Sequence, residues 1–299
     1  MRPARACVAL TLLLLTTSCT SDSDPSRLRE GSSDGGKAIA SPSEPQADIY
    51  VMAADGRGMK RLTRHPLTDG TPVVWSPGGD RIMYGRGVEG YSGTYIMRAD
   101  GSNPIQLLPP QAGSVAGSWD SEGTIVLSSN RSGTSLLYTV AEDGTDLRPI
   151  PNSEDGDYFP VASPDGTTIA FMSEDGPESD IWMMASDGSN RVPLAVAPLA
   201  QKWTTWSPEG TMLAYHDLPS QTIRVADIDS GESRELKLHR PALMPAWSPD
   251  GRKMAFISDG DVCIVALANH HVTCFDKPGQ AYGPAWSPDG RLIAFVSVR

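Results

Sequence analysis

Five histidines, His65, His216, His239, His270 and His271, are the side chains of this sequence best suited to holding a metal or moving a proton. A metal-dependent lyase or hydrolase needs several such groups converging on one ion. Here they are scattered and carry no internal ligand motif. His65 and His239 precede, and His216 follows, segments that read as strands, so loops on one rim could gather them. The plainer expectation is surface or loop histidines, with His270-His271 at a hairpin tip. A serine hydrolase needs Ser, His and an acid held together, usually with a Gly-x-Ser-x-Gly elbow joining a strand to a helix. No such elbow stands between a strand and a helix. The acids Glu154, Asp155, Asp157, Glu174, Asp175, Glu178 and Asp180 cluster in two neighbouring loops. They could hold a Ca²⁺ ion or face a basic partner, but neither run fits the twelve-residue calcium loop. A solvated acidic rim is the simpler reading. No catalytic residue, metal ligand or cofactor is assigned.

Charge and composition narrow the classes further. With 25 basic and 36 acidic side chains the formal charge is −11, which disfavours nucleic acid as a partner. Twenty-nine Gly and 25 Pro without a three-residue period argue for many short strands and against a helical bundle. Residues 1–18 combine Arg2 and Arg5, an apolar run from Cys7 to Leu15 and a small-residue end, the layout of a secretory signal. Thr17-Ser18-Cys19 resembles a bacterial lipobox, which marks Cys19 for lipidation and the chain for export to the cell membrane, with plain secretion as the alternative. Residues 19–47, rich in Ser, Gly, Asp and Pro, read as a flexible tether. Cys263 and Cys274 lie symmetrically about an expected turn near Ala268-Asn269, so they should form a disulfide in an oxidising compartment or remain two buried thiols.

The rest of the chain is a repeat. Trp75-Ser-Pro-Gly-Gly79, Trp206-Ser-Pro-Glu-Gly210, Trp247-Ser-Pro-Asp-Gly251 and Trp286-Ser-Pro-Asp-Gly290 are each followed by an alternating apolar pair. Trp119-Asp-Ser-Glu-Gly123 and Ala162-Ser-Pro-Asp-Gly166 are degenerate copies. The lead positions 75, 119, 162, 206, 247 and 286 are spaced near forty residues, the period of an array of supersecondary units. Each unit reads as four strands: one ending at the Trp, a tight turn, an alternating strand, then a hairpin closed by an Asp-Gly turn such as Asp55-Gly56 or Asp187-Gly188. Residues 48–64 supply only the trailing half of a unit, and the chain ends on a leading half. Joining them completes six four-stranded sheets in a closed ring, an all-β six-bladed β-propeller over residues 48–299. The Trp residues are expected to fill the interfaces between blades. Blade three, with Ala162, must fill its space with Phe159 or Trp182.

The Ser-Pro-Asp-Gly turn, the Ile-Ala-Phe strand and the Ile-Tyr-Val-Met hairpin resemble the propeller repeats of the TolB family over residues 48–299. The resemblance implies a propeller used as a rigid docking body, here with a tether where that family carries an α/β domain. The same repeats also occur in peptidase accessory domains and in lyases of acidic sugars. The expectation is therefore a monomeric, non-catalytic scaffold for a protein or an envelope polymer, touching the membrane only through its lipid anchor. The alternative is a carbohydrate-active lyase or hydrolase using the central funnel. The candidate contacts are Asp69, Tyr158, Lys202, Trp203, Arg240 and Tyr282, placed just before first strands. Arg86 and Tyr91 join them from a long loop after the second strand of blade one. Trp203, three residues before a repeat Trp, is surplus to the core pattern and heads the set; its alternative is burial in the channel wall.

Overall fold

The computed structural model describes residues 46–65, 68–88, 91–108, 114–120, 122–174, 180–194 and 201–299. The signal, Cys19 and nearly all of the tether lie outside these residues. Among the described residues there is no helix, and 24 strands form six antiparallel sheets of four. Blade one is β3 (Thr68–Trp75), β4 (Arg81–Val88), β5 (Tyr91–Arg98) and β6 (Ile105–Leu108). Blade two is β7 (Ser114–Trp119), β8 (Thr124–Ser129), β9 (Leu136–Ala141) and β10 (Arg148–Pro149). Blade three is β11 (Asp157–Ala162), β12 (Thr168–Ser173), β13 (Asp180–Ala185) and β14 (Val192–Pro193). Blade four is β15 (Gln201–Trp206), β16 (Met212–Asp217), β17 (Thr222–Asp227) and β18 (Ser233–Glu235). Blade five is β19 (Leu243–Trp247), β20 (Lys253–Ser258), β21 (Asp261–Ala266) and β22 (His271–Phe275). The sixth sheet combines β23 (Gln280–Trp286) and β24 (Leu292–Val298) with β1 (Ala47–Ala53) and β2 (Lys60–Arg61).

In that last sheet β1 pairs with β24 from Ala47↔Val298 to Ala53↔Leu292. Asp48, almost fully buried, accepts from Arg61 and from Arg299 at 2.9 Å each, and the Arg299 amide donates to the Gln46 carbonyl. Each first strand touches the first strands of both neighbouring blades, including β23 with β3, so the six line the centre of a continuous ring.

The repeated turn follows from one hydroxyl. Ser76, Ser163, Ser207, Ser248 and Ser287 each accept, through Oγ, the amide that opens the second strand. Ser163, Ser248 and Ser287 also donate to Asp165, Asp250 and Asp289, and those hydrogen bonds hold the three carboxyls below their ordinary range. Blade two lacks the Ser, and Asp120 Oδ1 takes the Thr124 amide at 2.8 Å in a turn one residue shorter.

The tryptophans join blades as well as fill them. The indole Nε1 of Trp75, Trp206 and Trp286 donates to the carbonyl of Ala285, Val161 and Ala246, each on the preceding blade and one residue before its own lead position. At the interface of blades two and three the Ala162 amide donates instead to Ser118 Oγ at 2.8 Å. There the backbones close in: a side chain at Gly117 would collide with the Pro160 carbonyl oxygen. Trp182 and Ala162 pack on the same apolar cluster, whereas Phe159 lies edge-on to Tyr158. Cys263 and Cys274 are directly opposed across β21 and β22 and joined by a disulfide.

Trp286→Ala should destabilise the protein by about 3–5 kcal/mol in urea unfolding, through lost packing and an orphaned carbonyl. Trp286→Phe, which keeps most of the packing and loses the indole donor, should cost visibly less.

Candidate functional site

The first strands begin on one face of the ring, and six positions near their starts define its central mouth. Each first strand carries a β-bulge there, marked by a register shift before the lead residue. In four blades the bulge residue stands three places before the lead, at positive φ: Phe159, Trp203, Met244 and Gly283. Bulky residues rarely adopt that backbone, and a bulge re-aims its side chain. The Gly283 amide donates to Met244 Sδ of the neighbouring blade at 3.1 Å, and Trp203 packs on the cluster that contains Met244.

These bulges relocate the sequence candidates. Asp69, Tyr158, Lys202, Trp203 and Tyr282 belong to the first strands rather than to the loops before them, because the bulge breaks the alternation and hides the strand start. Arg240 alone of the six lies before its strand. Arg86 and Tyr91 are also strand residues, in β4 and β5, with only residues 89–90 between them. The glycines 85, 87, 90 and 93 gave that hairpin the composition of a loop. The side chains of Tyr91 and Lys202 lie outside the described residues.

Two blades share a buried motif at the mouth. In blade one Arg86 donates through Nε and Nη2 to the two oxygens of Asp69, which is fully buried, and its guanidinium lies 5.2 and 5.1 Å from the Tyr84 and Tyr95 rings. Burial would depress Arg86, but the Asp69 hydrogen bond and charge raise it above its ordinary value. Burial likewise pushes the Tyr84 phenol up to about 12. In blade three Arg191 donates to Asp157 and Ser173 at 3.0 Å and lies 4.1 Å from the Trp182 ring. Asp157 also accepts from Ser153 and from the Glu154 amide. It is therefore no member of a solvated acidic rim: Arg191, 34 residues on, draws it into the fold. Asp175, Glu178 and the Asp180 side chain lie outside the described residues.

Blade four departs from this plan. Where blade three has Ser173, blade four has Asp217, which accepts from Ser220 in the adjoining turn. In β16 beside it, the buried His216 stacks at 5.9 Å on the half-buried Trp203. Trp203 is thus partly wall and partly surface. A cleft of about 550 Å³ opens between Ser220 and Thr222 of blade four and the connector bearing Lys237, His239 and Arg240. Arg240 donates to Ser258, Cys274 Sγ and Asp259. In blade six, half-buried Tyr282 donates to Gln280 at 2.9 Å. His65, His216 and His239 do not form a metal site, and among the described residues no three His, Cys, Asp or Glu side chains do. Sequence reasoning missed Phe159, Met244 and the Arg191–Asp157 pair; the bulge residues could have been found by their constant distance from the lead residue.

Comparison with known proteins places this geometry. The TolB beta propeller domain family matches residues 70–229, just over half of the chain. A protein TolB homolog from Chlorobium luteolum is 32% identical over 126 residues, 42% of this chain and 28% of that relative. A Tol-Pal system protein TolB from Anaeromyxobacter dehalogenans is 32% identical over 108 residues, 36% of this chain and 25% of its own length. This chain thus spans under a third of either relative. A solved structure of a putative TolB from Agrobacterium tumefaciens superposes with a TM-score of 0.69 at 19% identity, covering 86% of this chain and 99% of that one. That likeness is one of fold.

Asp69→Ala should cost about 3–5 kcal/mol in chemical unfolding, because it leaves Arg86 buried without its carboxylate. An Asp69→Ala/Arg86→Met double variant should recover much of that loss.

Proposed function

This chain belongs to the TolB β-propeller family, and from that premise we propose that it is a non-catalytic scaffold of the bacterial cell envelope that docks a protein partner on the mouth of its ring. The observation that carries the reading is the asymmetry of that mouth. Blades one and three close it with buried arginine–aspartate pairs, whereas blade four presents a half-exposed Trp203 on a strained bulge. Tryptophan offers a large apolar area with a polar edge, the character of residues that dominate protein–protein affinity. Its backing by the His216 ring fixes its orientation before a partner arrives, which lowers the ordering cost of binding. Tyr282 and Tyr158 are the further candidate contacts at the mouth, and Arg240 supplies charge at the cleft.

The name of the Anaeromyxobacter relative, a Tol-Pal system protein, supports an envelope setting. So does the lipobox-like Thr17-Ser18-Cys19, through which a lipidated Cys19 would tether the propeller to the membrane by residues 19–47. A protein is favoured over a polymer because a single fixed aromatic anchor suits one defined epitope better than a repeating chain.

Immobilised propeller should retain a saturable protein from envelope extract, and Trp203→Ala should weaken that retention at least about tenfold with an unchanged far-UV spectrum. Undiminished retention by Trp203→Ala would remove the mouth as the docking site. Cys19→Ala should move the protein from the membrane to the soluble fraction; continued membrane retention would contradict the anchor.

A further inference from the structure

The arginine motif of blades one and three has a third copy that lacks its acid. In blade two Arg131 lies 5.5 Å from the Tyr138 ring and donates to Ser129 Oγ at 3.2 Å and to Ser114 Oγ at 3.4 Å. Ser114 and Ser129 are opposed at the open end of β7 and β8, as Asp157 and Ser173 are in β11 and β12, and as Asp69 and Arg86 are in β3 and β4. Ser114 therefore occupies the place of the aspartate. Arg131 forms no ion pair among the described residues, although Arg86 and Arg191 each do. The five residues before Ser114, Pro-Pro-Gln-Ala-Gly, contain no acid either.

We propose that Arg131, Ser114 and Ser129 form a carboxylate-binding subsite at the mouth of the ring, a site independent of whether Trp203 docks a protein. The two filled copies show what this socket takes: a carboxylate facing the guanidinium, with a hydroxyl or a second guanidinium nitrogen beside it. A guanidinium presents paired donors in a plane that matches a carboxylate. The Ser129 hydroxyl, 2.9 Å from Ser114 Oγ and rotatable, can turn to donate to an incoming oxygen. Tyr138 holds the guanidinium in place as Tyr84 and Trp182 do in the filled copies. With serine in place of aspartate the socket keeps its cation and loses its counter-charge, so a ligand's carboxylate completes it. That carboxylate belongs either to a free organic acid or to an acidic side chain of a docked chain.

The test is thermal unfolding of the purified protein in sodium acetate against sodium chloride at equal ionic strength and neutral pH. Acetate should raise the Tm of the native protein saturably, by roughly 3 °C at a tenfold excess over its dissociation constant. Ser114→Asp, which supplies the missing acid, should raise the Tm in chloride and abolish the acetate response. Arg131→Ala should abolish the response without that gain. A native protein indifferent to acetate, or a response that survives in either variant, would overturn the subsite. So would a response that appears only in an Asp175→Asn/Glu178→Gln variant, since the chain's own acids would then fill the socket. A short glutamate-containing peptide distinguishes the sources: competition with acetate assigns the carboxylate to a docked chain, and lack of competition assigns it to a free acid.

Discussion

Everything the molecule offers at its mouth depends on the pairing of β1 with β24. Seven consecutive partners hold strands from opposite ends of the chain in one sheet, and the buried Asp48 clamps Arg61 and Arg299 across the seam. An open array would leave the first and last sheets with unpaired edges and the six first strands free to splay. Once the seam is made, each first strand has two neighbours around a common axis, and the four positive-φ bulge residues stand at the same distance from their lead residues. The positions of Phe159, Trp203, Met244 and Gly283 are consequences of that closure as much as of their own local sequence.

Between blades the same contact recurs with local substitutions. Three indoles reach back to a carbonyl of the preceding blade, and where Trp is replaced by Ala162 a serine hydroxyl and a glycine close the gap instead. The interfaces are thus not ranked by the presence of a large side chain. A small pair with complementary backbones can approach more closely, recovering contact that volume would otherwise supply.

The repeat was legible in the sequence because its turn has strict chemical demands. A serine to accept one amide, a proline to fix φ and a glycine to reverse the chain leave few alternatives, so even the copy led by Ala162 is visible. The mouth was harder to read. Arg86 sits in a hairpin whose four glycines imitate a loop, and Asp157 finds its cation 34 residues away, just before the last strand of its blade. Trp203 stood out as surplus to the pattern, but its bulge did not: nothing in the identity of Phe, Trp or Met announces a positive φ. Local turn chemistry is written in adjacent residues, whereas charge pairing across strands depends on registers that only the folded sheet displays.

The seam can be tested directly by hydrogen exchange followed by mass spectrometry. If β1 is an integral strand of the sixth sheet, the amides of residues 49–52 should exchange as slowly as those of β24 and only with global unfolding. Fast exchange of residues 49–52 in a protein whose β24 and β3 remain protected would show that the ring closes without them, and the common axis that positions the mouth would need another explanation.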